Sequence, residues 1–401
     1  MRVRELRSAA EIENVRSVWH QLLQQTPGAS FMQTPEWLEA RCRHAPHFRS
    51  LRILVCESRH GNETGGIAGI VPLNVQIEPT KVGDLRLLTF PLDGWGSFYG
   101  PIGPQPVALL RAALEYLGRA ERNYDLIDLR PMPAVAVEDL PGAKPLPSSP
   151  WARAAMIDLA GSWDTYWESR KQDHNRRRNV ERCERRLSEA GCITFERYRP
   201  AGLCGNESEP RWDLFDECVS LARRSWQSGL TEGNTLSHPD VLPLLRDAHQ
   251  AAAQAGALDM SLLRLNDQPL AFSYGYHYRG NFDLLRIGFD PDWAKLAPGN
   301  ALWTRLIRDS FQRKDRVIDL GPTCLDFKKF WLTRVEPSFR LLRYTWSPRS
   351  QVLRVTRLLR GRAGEPGDKT NAAAKVEATQ PAPALVATSA DGTDRRDRPA
   401  R

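Results

Sequence analysis

LDMSLLRLNDQPLAFSYGYHYRGNFDLLRIGFDPDWAKLAPGNALWTRLIRDSFQRKDRVIDLGPTCLDFKKFW, residues 258–331, is the stretch on which the fold turns. It holds three strand-like runs with no helix between them, Leu258–Leu265, Leu270–Tyr278 and Phe282–Phe289. Asn266-Asp267 and Arg279-Gly280-Asn281 between them are hairpin turn signals, so the runs predict an antiparallel meander. Pro298-Gly299 then starts a helix to about Gln312, followed by a strand at Val317–Leu320 and a short helix at Leu325–Trp331. A strand that hands the chain to a helix N-terminus leaves unpaired backbone N–H groups at a positive dipole end, which suits a pyrophosphate. Pro and Gly at such a junction serve equally well as plain turn residues.

Working outward, Ser162-x-x-Thr165 leads into a long charged helix that ends near Ala190 and is closed by Gly191. A short strand at Ala154–Leu159 precedes it. A strand at Cys192–Tyr198 and helices at Trp212–Trp226 and His238–Ala255 follow, and Phe339–Trp346 reads as a last strand. The first half reads as a helix at Ala10–Gln25, a second helix restarted by Thr34-Pro-Glu-Trp37, and strands at Leu51–Cys56, Ile67–Val75 and Leu85–Phe90. Then come a Gly/Pro loop at Gly94–Pro104, a helix at Val107–Arg119 and a strand at Tyr124–Arg130. Prolines cluster between Pro131 and Pro150, which marks a linker. The expected organisation is a first domain over 1–135, a linker over 136–150, a second domain over 151–348 and a disordered tail over 362–401. Ile127-Asp128-Leu129 and Ile318-Asp319-Leu320 each sit on a strand after a Gly/Pro loop and a helix, an echo that makes tandem related domains an expectation.

At 401 residues, 41% hydrophobic and 26% charged, the chain has the composition of a globular protein with a real core. Its twelve tryptophans read first as packing residues. The net charge of +8 suits an anionic partner such as nucleic acid, an anionic membrane surface or a phosphate-rich cofactor, and the excess is local, in Arg170–Arg186 and Arg340–Arg362. Seven scattered cysteines without a C-x-x-C pair point to free thiols in a reducing compartment. The first residues lack the apolar core of a signal peptide, and no window approaches a membrane span, so the expected location is cytoplasmic. No helix-turn-helix or zinc pattern is present, which argues against sequence-specific DNA binding.

One set of motifs is similar to a known family. It comprises His174-Asn175, Arg185-Arg186-Leu187-x-x-x-Gly191, Gly256–Leu265 and Pro269-x-Ala271. To these add Phe289-Asp290-Pro291, Ala297-Pro298-Gly299-x-x-Leu302, Ile318-Asp319-x-Gly321 and Phe327-Lys328-x-x-Trp331. Together they resemble the BioF2-like acetyltransferase domain, a CelD-like branch of the GNAT superfamily of acyl-CoA N-acyltransferases, related to the tandem FemAB-type folds. Phe289, Ala297 and Phe327 stand where that branch usually has Tyr, Ser and Tyr. The resemblance covers roughly 160–335, with a looser match through Phe31-x-x-x-Pro35-x-Trp37. It implies an α/β (α+β) tandem GNAT-like fold: a mixed, mostly antiparallel sheet with flanking helices. It also implies a V-shaped opening between the strands Phe282–Phe289 and Val317–Leu320. Acyl-CoA would lie there as co-substrate, its pyrophosphate on the backbone of Leu296, Ala297, Pro298, Gly299, Asn300 and Ala301.

Transfer of an acyl group from a thioester to an amine needs a proton acceptor for the amine and polarisation of the carbonyl; it needs no metal and no covalent enzyme intermediate. The chain shows no metal-ligand spacing and no nucleophile motif. Asp319 is the first candidate base, with Asp290, Tyr276 and His277 behind it. Asp319 serves equally well as a turn cap, and His277 as a plain strand residue. Lys328 is a candidate contact for an acidic substrate or the donor phosphates, or else part of a solvated helix face. Trp331 reads as core, and Cys324 as packing in preference to a nucleophile. The arginines of 170–186 read as a solvated helix face laced with acids, or as a contact for CoA phosphate, a nucleotide-sugar, a lipid-linked diphosphate or tRNA.

The expected function is acyl-CoA-dependent N-acyltransfer, acetyl first, to an amine-bearing small molecule or glycan precursor of cellulose, exopolysaccharide or envelope synthesis. The alternatives are a FemAB-like aminoacyltransferase using aminoacyl-tRNA, and a non-catalytic scaffold of the same fold in a polysaccharide-synthesis complex.

Overall fold

Apolar residues alternate or run continuously wherever a strand is flanked on both faces, and in this chain nearly every such run joins one sheet. The structure is a computed structural model. It describes residues 1–362 except 45–47, 61–62, 81–82, 138–147, 226–234 and 323–324. The first half contains β1 (Arg2–Leu6), α1 (Ala9–Glu13), α2 (Arg16–Gln25), α3 (Pro35–His44), β2 (Phe48–His60), β3 (Glu63–Thr80), β4 (Gly83–Thr89), α4 (Pro106–Arg119) and β5 (Leu126–Met132). The second half begins with β6 (Ser149–Asp158), α5 (Trp163–Ser169), α6 (His174–Glu189), β7 (Ile193–Tyr198), α7 (Trp212–Arg224) and α8 (Leu242–Gln254). It continues with β8 (Leu258–Leu265), β9 (Gln268–Tyr278), β10 (Asn281–Phe289), α9 (Pro298–Gln312), β11 (Val317–Asp319), α10 (Leu325–Lys328), β12 (Arg334–Tyr344) and α11 (Pro348–Arg362).

The twelve strands lie in the order β1-β2-β3-β4-β5-β12-β6-β11-β10-β9-β8-β7. Each half repeats one plan. Four consecutive antiparallel strands are followed, after a helix, by a fifth strand parallel to the fourth: β4 with β5, and β10 with β11. The Ile-Asp-Leu echo falls on the same place in both plans, since Ile127 pairs with Leu88 and Ile318 with Phe282. The fold is therefore the mixed, mostly antiparallel tandem arrangement with flanking helices that the motifs implied.

Strand β12 joins the halves. It pairs antiparallel with β5 on one edge and with β6 on the other. Buried Asp128 on β5 accepts two hydrogen bonds from Arg340 on β12, at 2.6 and 2.9 Å, and Arg130 stands 3.3 Å from the same carboxylate. The ring of Trp151 on β6 meets both guanidinium groups, at 4.5 Å from Arg130 and 4.9 Å from Arg340. Three adjacent strands are thus tied by one carboxylate, two arginines and one indole. A continuous apolar core also crosses the junction: Phe31, Trp37 and Trp95 of the first half pack in one cluster with Phe215, Tyr274 and Tyr276 of the second.

Local structure departs from the sequence reading in several places. The charged run Arg2–Leu6 is a strand, supported by pairing with β2 rather than by its own pattern. The expected helix Ala10–Gln25 breaks between Glu13 and Arg16, where a capping box on Ser8 starts one segment and a second begins after Val15. The long charged helix also breaks, because Asp173 accepts from the Arg176 amide (3.2 Å) and restarts it as α6. Strand β6 begins at Ser149, inside the expected linker, whose residues 138–147 lie outside the described residues. Of the expected tail, residues 363–401 lie outside them too, and helix α11 before it was not foreseen.

Because Asp128 is the shared partner of two arginines at the junction, Asp128→Ala leaves buried positive charge uncompensated. It should lower the unfolding free energy by roughly 3–5 kcal/mol, read from the urea midpoint at constant m-value.

Candidate active site at the parting of two parallel strands

Strands β10 and β11 run together for three residues only: Asn281, Phe282 and Asp283 opposite Val317, Ile318 and Asp319. Beyond that point β11 ends, and the Leu320 amide turns to the Ala155 carbonyl on β6 (2.9 Å), while β10 continues to Phe289 against β9 alone. The gap so opened begins at a pair of carboxylates, because Asp283 and Asp319 are direct register partners. Tyr276 on β9 is the register partner of Asp283, so the three side chains stand in one row on one face.

A local turn fixes Asp319. Its Oδ1 accepts from the amide of Gly321 (2.7 Å), and Gly321 has φ +82°, a conformation open to glycine at little cost. Ser97 Oγ donates to the same oxygen (2.9 Å) from 222 residues earlier in the chain. Ser97 lies on the Gly/Pro loop of the first half. Gly96 lets that loop settle on Met32, where a Cβ would stand 2.7 Å from Cε, and Arg41 Nη2 holds Asp93 at 2.7 Å. Asp319 therefore does serve as a turn cap, and it faces a second carboxylate as well. Lys328 is 8% exposed, with Nζ donating to the Gly321 carbonyl (3.3 Å), so it belongs to the buried site and not to a solvated helix face.

Burial dominates the electrostatics. It pushes the Asp319 carboxyl above the usual carboxylate range, while Ser97, the Gly321 amide and Lys328 pull it back. Asp283 is pushed much further, first by burial and then by the charge of Asp319; its Oδ2 is shut from solvent and has no hydrogen-bond partner among the described residues. Tyr276 is fully buried against Phe31 (4.7 Å between ring centroids) and Trp37 (6.0 Å); burial keeps its phenol protonated. Arg286, further along β10, lies over the Trp95 ring at 5.0 Å, and burial lowers its pKa to about 10, so it remains charged at neutral pH.

The other sequence candidates sit apart from this row. Asp290 caps the turn after β10 through the Asp292 amide (3.1 Å) and accepts from Arg224 Nε (3.0 Å). His277 pairs with Phe282, which places it on the opposite face; its Nε2 is 3.2 Å from Asp315. Trp331 is core, stacked with Trp303. Cys324 lies outside the described residues. Asp283, Ser97 and Trp95 were missed. A lone acid inside an apolar strand is the one signal that could have flagged Asp283; Ser97 carries no local signal.

On the donor side, α9 starts at Pro298 with Ala297 in the left-handed conformation and no side chain capping it. The amides of Ala297 and Asn300 bond to the carbonyls of Ala294 and Ala297 (both 3.0 Å), and Pro298 has none. That leaves the Gly299 amide in the first turn, since Leu296 closes the 3-10 turn over Pro291–Leu296 and Ala301 falls within the helix's own bonding. Helix α6 packs against α9, where Arg305 pairs with Glu184 on α6 (2.6 Å). Arg178, Arg182, Arg185 and Arg186 on α6 are exposed. Among the described residues, no group of three or more His, Cys, Asp or Glu could hold a metal ion.

Residues 174–329 match the family model described as acetyltransferase (GNAT) domain. No curated protein matches the chain in sequence. The solved structure of FemX is 11% identical, covers 89% of this chain and 99% of its own, and superposes with a TM-score of 0.55. L-PGS from Bacillus licheniformis is 12% identical over 85% of this chain and 96% of its own, TM-score 0.48. A tandem GNAT protein from the clavulanic acid biosynthesis pathway is 10% identical over 86% and 98%, TM-score 0.41.

The raised carboxyls have a stability consequence. A carboxyl whose folded pKa exceeds its unfolded value of about 3.9 costs nothing below that value and destabilises as pH rises through the folded one. Asp283→Asn should therefore melt higher than the parent chain near pH 8, with the difference shrinking towards about pH 4, as followed by differential scanning calorimetry. Residues 174–329 are thus similar to the acetyltransferase (GNAT) domain, set within a chain-long fold like that of FemX.

Proposed function

We propose that this protein transfers an acyl group from acyl-CoA to an amine, with the Asp283–Asp319 pair as proton acceptor. The observation that carries the reading is that pair, set where β10 and β11 part ahead of the uncapped start of α9. The amine nitrogen attacks the thioester carbonyl carbon, a C–N bond forms and the C–S bond breaks. The proton lost by nitrogen passes to the carboxylate pair, whose burial raises its basicity towards the working pH. The departing thiolate takes up the proton that the carboxylate pair received from nitrogen, which returns the pair to its starting state. The pyrophosphate of the donor rests on the Leu296–Ala301 backbone, and the exposed arginines of α6 meet its outer phosphate. An acetyl donor and an acceptor amine on a small molecule or glycan precursor of envelope or exopolysaccharide synthesis fit the resemblance stated above. Asp319 and Lys328 belong to this machinery; Asp290 shapes the turn that leads into the donor site.

A second reading has support in the same arginines and in the chain-long likeness to FemX: an aminoacyl group delivered from tRNA to the same carboxylate row. The two differ in what stabilises the protein. On the first reading, acetyl-CoA or a longer acyl-CoA raises the melting temperature, because a ligand held by the native state stabilises it. On the second, acyl-CoA leaves it unchanged and aminoacyl-tRNA binds with steep salt dependence.

Asp283→Asn should cut turnover roughly 10²–10⁴-fold with little change in donor affinity. In the parent chain kcat/KM should rise with pH through the raised carboxyl pKa, since the base must be ionised. A pH-independent rate, or full turnover in both Asp283→Asn and Asp319→Asn, rules out the pair as base.

A further inference from the structure

Helix α11 and the residues leading into it play no part in the chemistry above, and their composition is unusual. From 337 to 364 the sequence has seven arginines and no aspartate or glutamate. Three of the seven are engaged by the fold: Arg340 with Asp128, Arg343 with the Leu114 carbonyl (3.5 Å) and Arg349 with the Asp84 carbonyl (3.0 Å). Arg354 points to solvent, and the sequence places three more at 357, 360 and 362 in the last turns of the helix. The inner side of α11 is satisfied. Ser350 is fully buried and receives the Thr345 amide (3.0 Å), and Leu353 packs on Leu85, Leu87 and Leu126.

The outer side is apolar where it should not be. Trp346 is 80% exposed, Val352 51% and Val355 52%. The other large exposed apolar side chains among the described residues, Met1, Val135 and Leu203, are scattered, whereas these three fall within ten residues. Val352 and Val355 are one helical turn apart and so share a face. A helix docked by one side, with valines on the other, an exposed indole at its entry and a sequence rich in arginine and free of acids, has the features of an interfacial helix.

We propose that Trp346 and α11 form a docking surface for an anionic phospholipid membrane. Trp346 enters the interfacial layer, where an indole has both an apolar body and an N–H to offer. Val352 and Val355 follow it below the headgroups. Arg354 and the arginines that the sequence places at 357, 360 and 362 meet lipid phosphates, each contributing roughly fivefold to partitioning. Nucleic acid would use the same charge, but it has no use for two exposed valines. The surface stands apart from the carboxylate row, so the proposal does not depend on acyl transfer.

The test is sedimentation of the full chain with vesicles of phosphatidylcholine alone and of phosphatidylcholine with about one third phosphatidylglycerol. The chain should pellet at least tenfold more on the anionic vesicles, and about 0.5 M salt should release it, since screening then acts within a few Å. Trp346→Ser with Val352→Ser and Val355→Ser should reduce pelleting about tenfold without moving the melting temperature, and Arg354→Glu should act in the same direction. These positions are exposed, so folding is not at stake; Val352→Ser with Val355→Ser alone provides a milder check. Absence of pelleting on anionic vesicles overturns the proposal. So does pelleting that these substitutions leave intact, and so does tight RNA binding that the apolar substitutions do not affect, with no vesicle binding.

Discussion

The structure depends on the insertion of β12 between β5 and β6. Neither half could close its sheet alone, since β5 would end on an open edge and β6 would lack its outer neighbour. The Asp128–Arg340 ion pair and the indole of Trp151 fix this strand's lateral position, and the fixed sheet in turn brings the loop of the first half over the second half's parallel strands. The candidate site is a product of that junction: Asp283 and Asp319 come from one half, Ser97 and Trp95 from the other.

The two halves use one motif in opposite ways. Asp128 and Asp319 hold equivalent positions on the fifth strand of each plan. The first is neutralised by two arginines and serves cohesion. The second faces a like charge, and burial leaves the pair with costly ionisation. The same residue in the same topological place is held as an anion when surrounded by cations and has its pKa raised when buried beside another acid. The electrostatics of this protein are therefore asymmetric although its architecture is repeated.

Much of the second half was legible in the sequence. The meander of 258–289, its turns, and the helix Pro298–Gln312 follow from local patterns and match the observed elements. Asp319 stood out because it ends a strand in a motif. Asp283 did not, because its meaning lies in register with Asp319, and register between strands joined through a helix leaves no local trace. The sequence left Lys328 between a ligand contact and a solvated helix face; α10 is only one turn long and its lysine turns inwards to Gly321. The placement of β12 and the approach of Ser97 are long-range contacts; no window of sequence contains both partners. Helix α11 was hidden by its arginines, since its stability comes from Leu353 and Ser350 against the sheet.

The central strand has a consequence for how the chain reaches its native state. Residues 334–344 pair with residues 178 or more positions earlier, so the sheet's middle is the last part that a growing chain can complete. Until then β5 and β6 present unsatisfied backbone to whatever is near. A nascent chain interrupted in this region would have two well-formed flanks and an open seam, a shape prone to pairing with its own kind. Emergence of β12 and protection of the seam from aggregation are, for this fold, the same event.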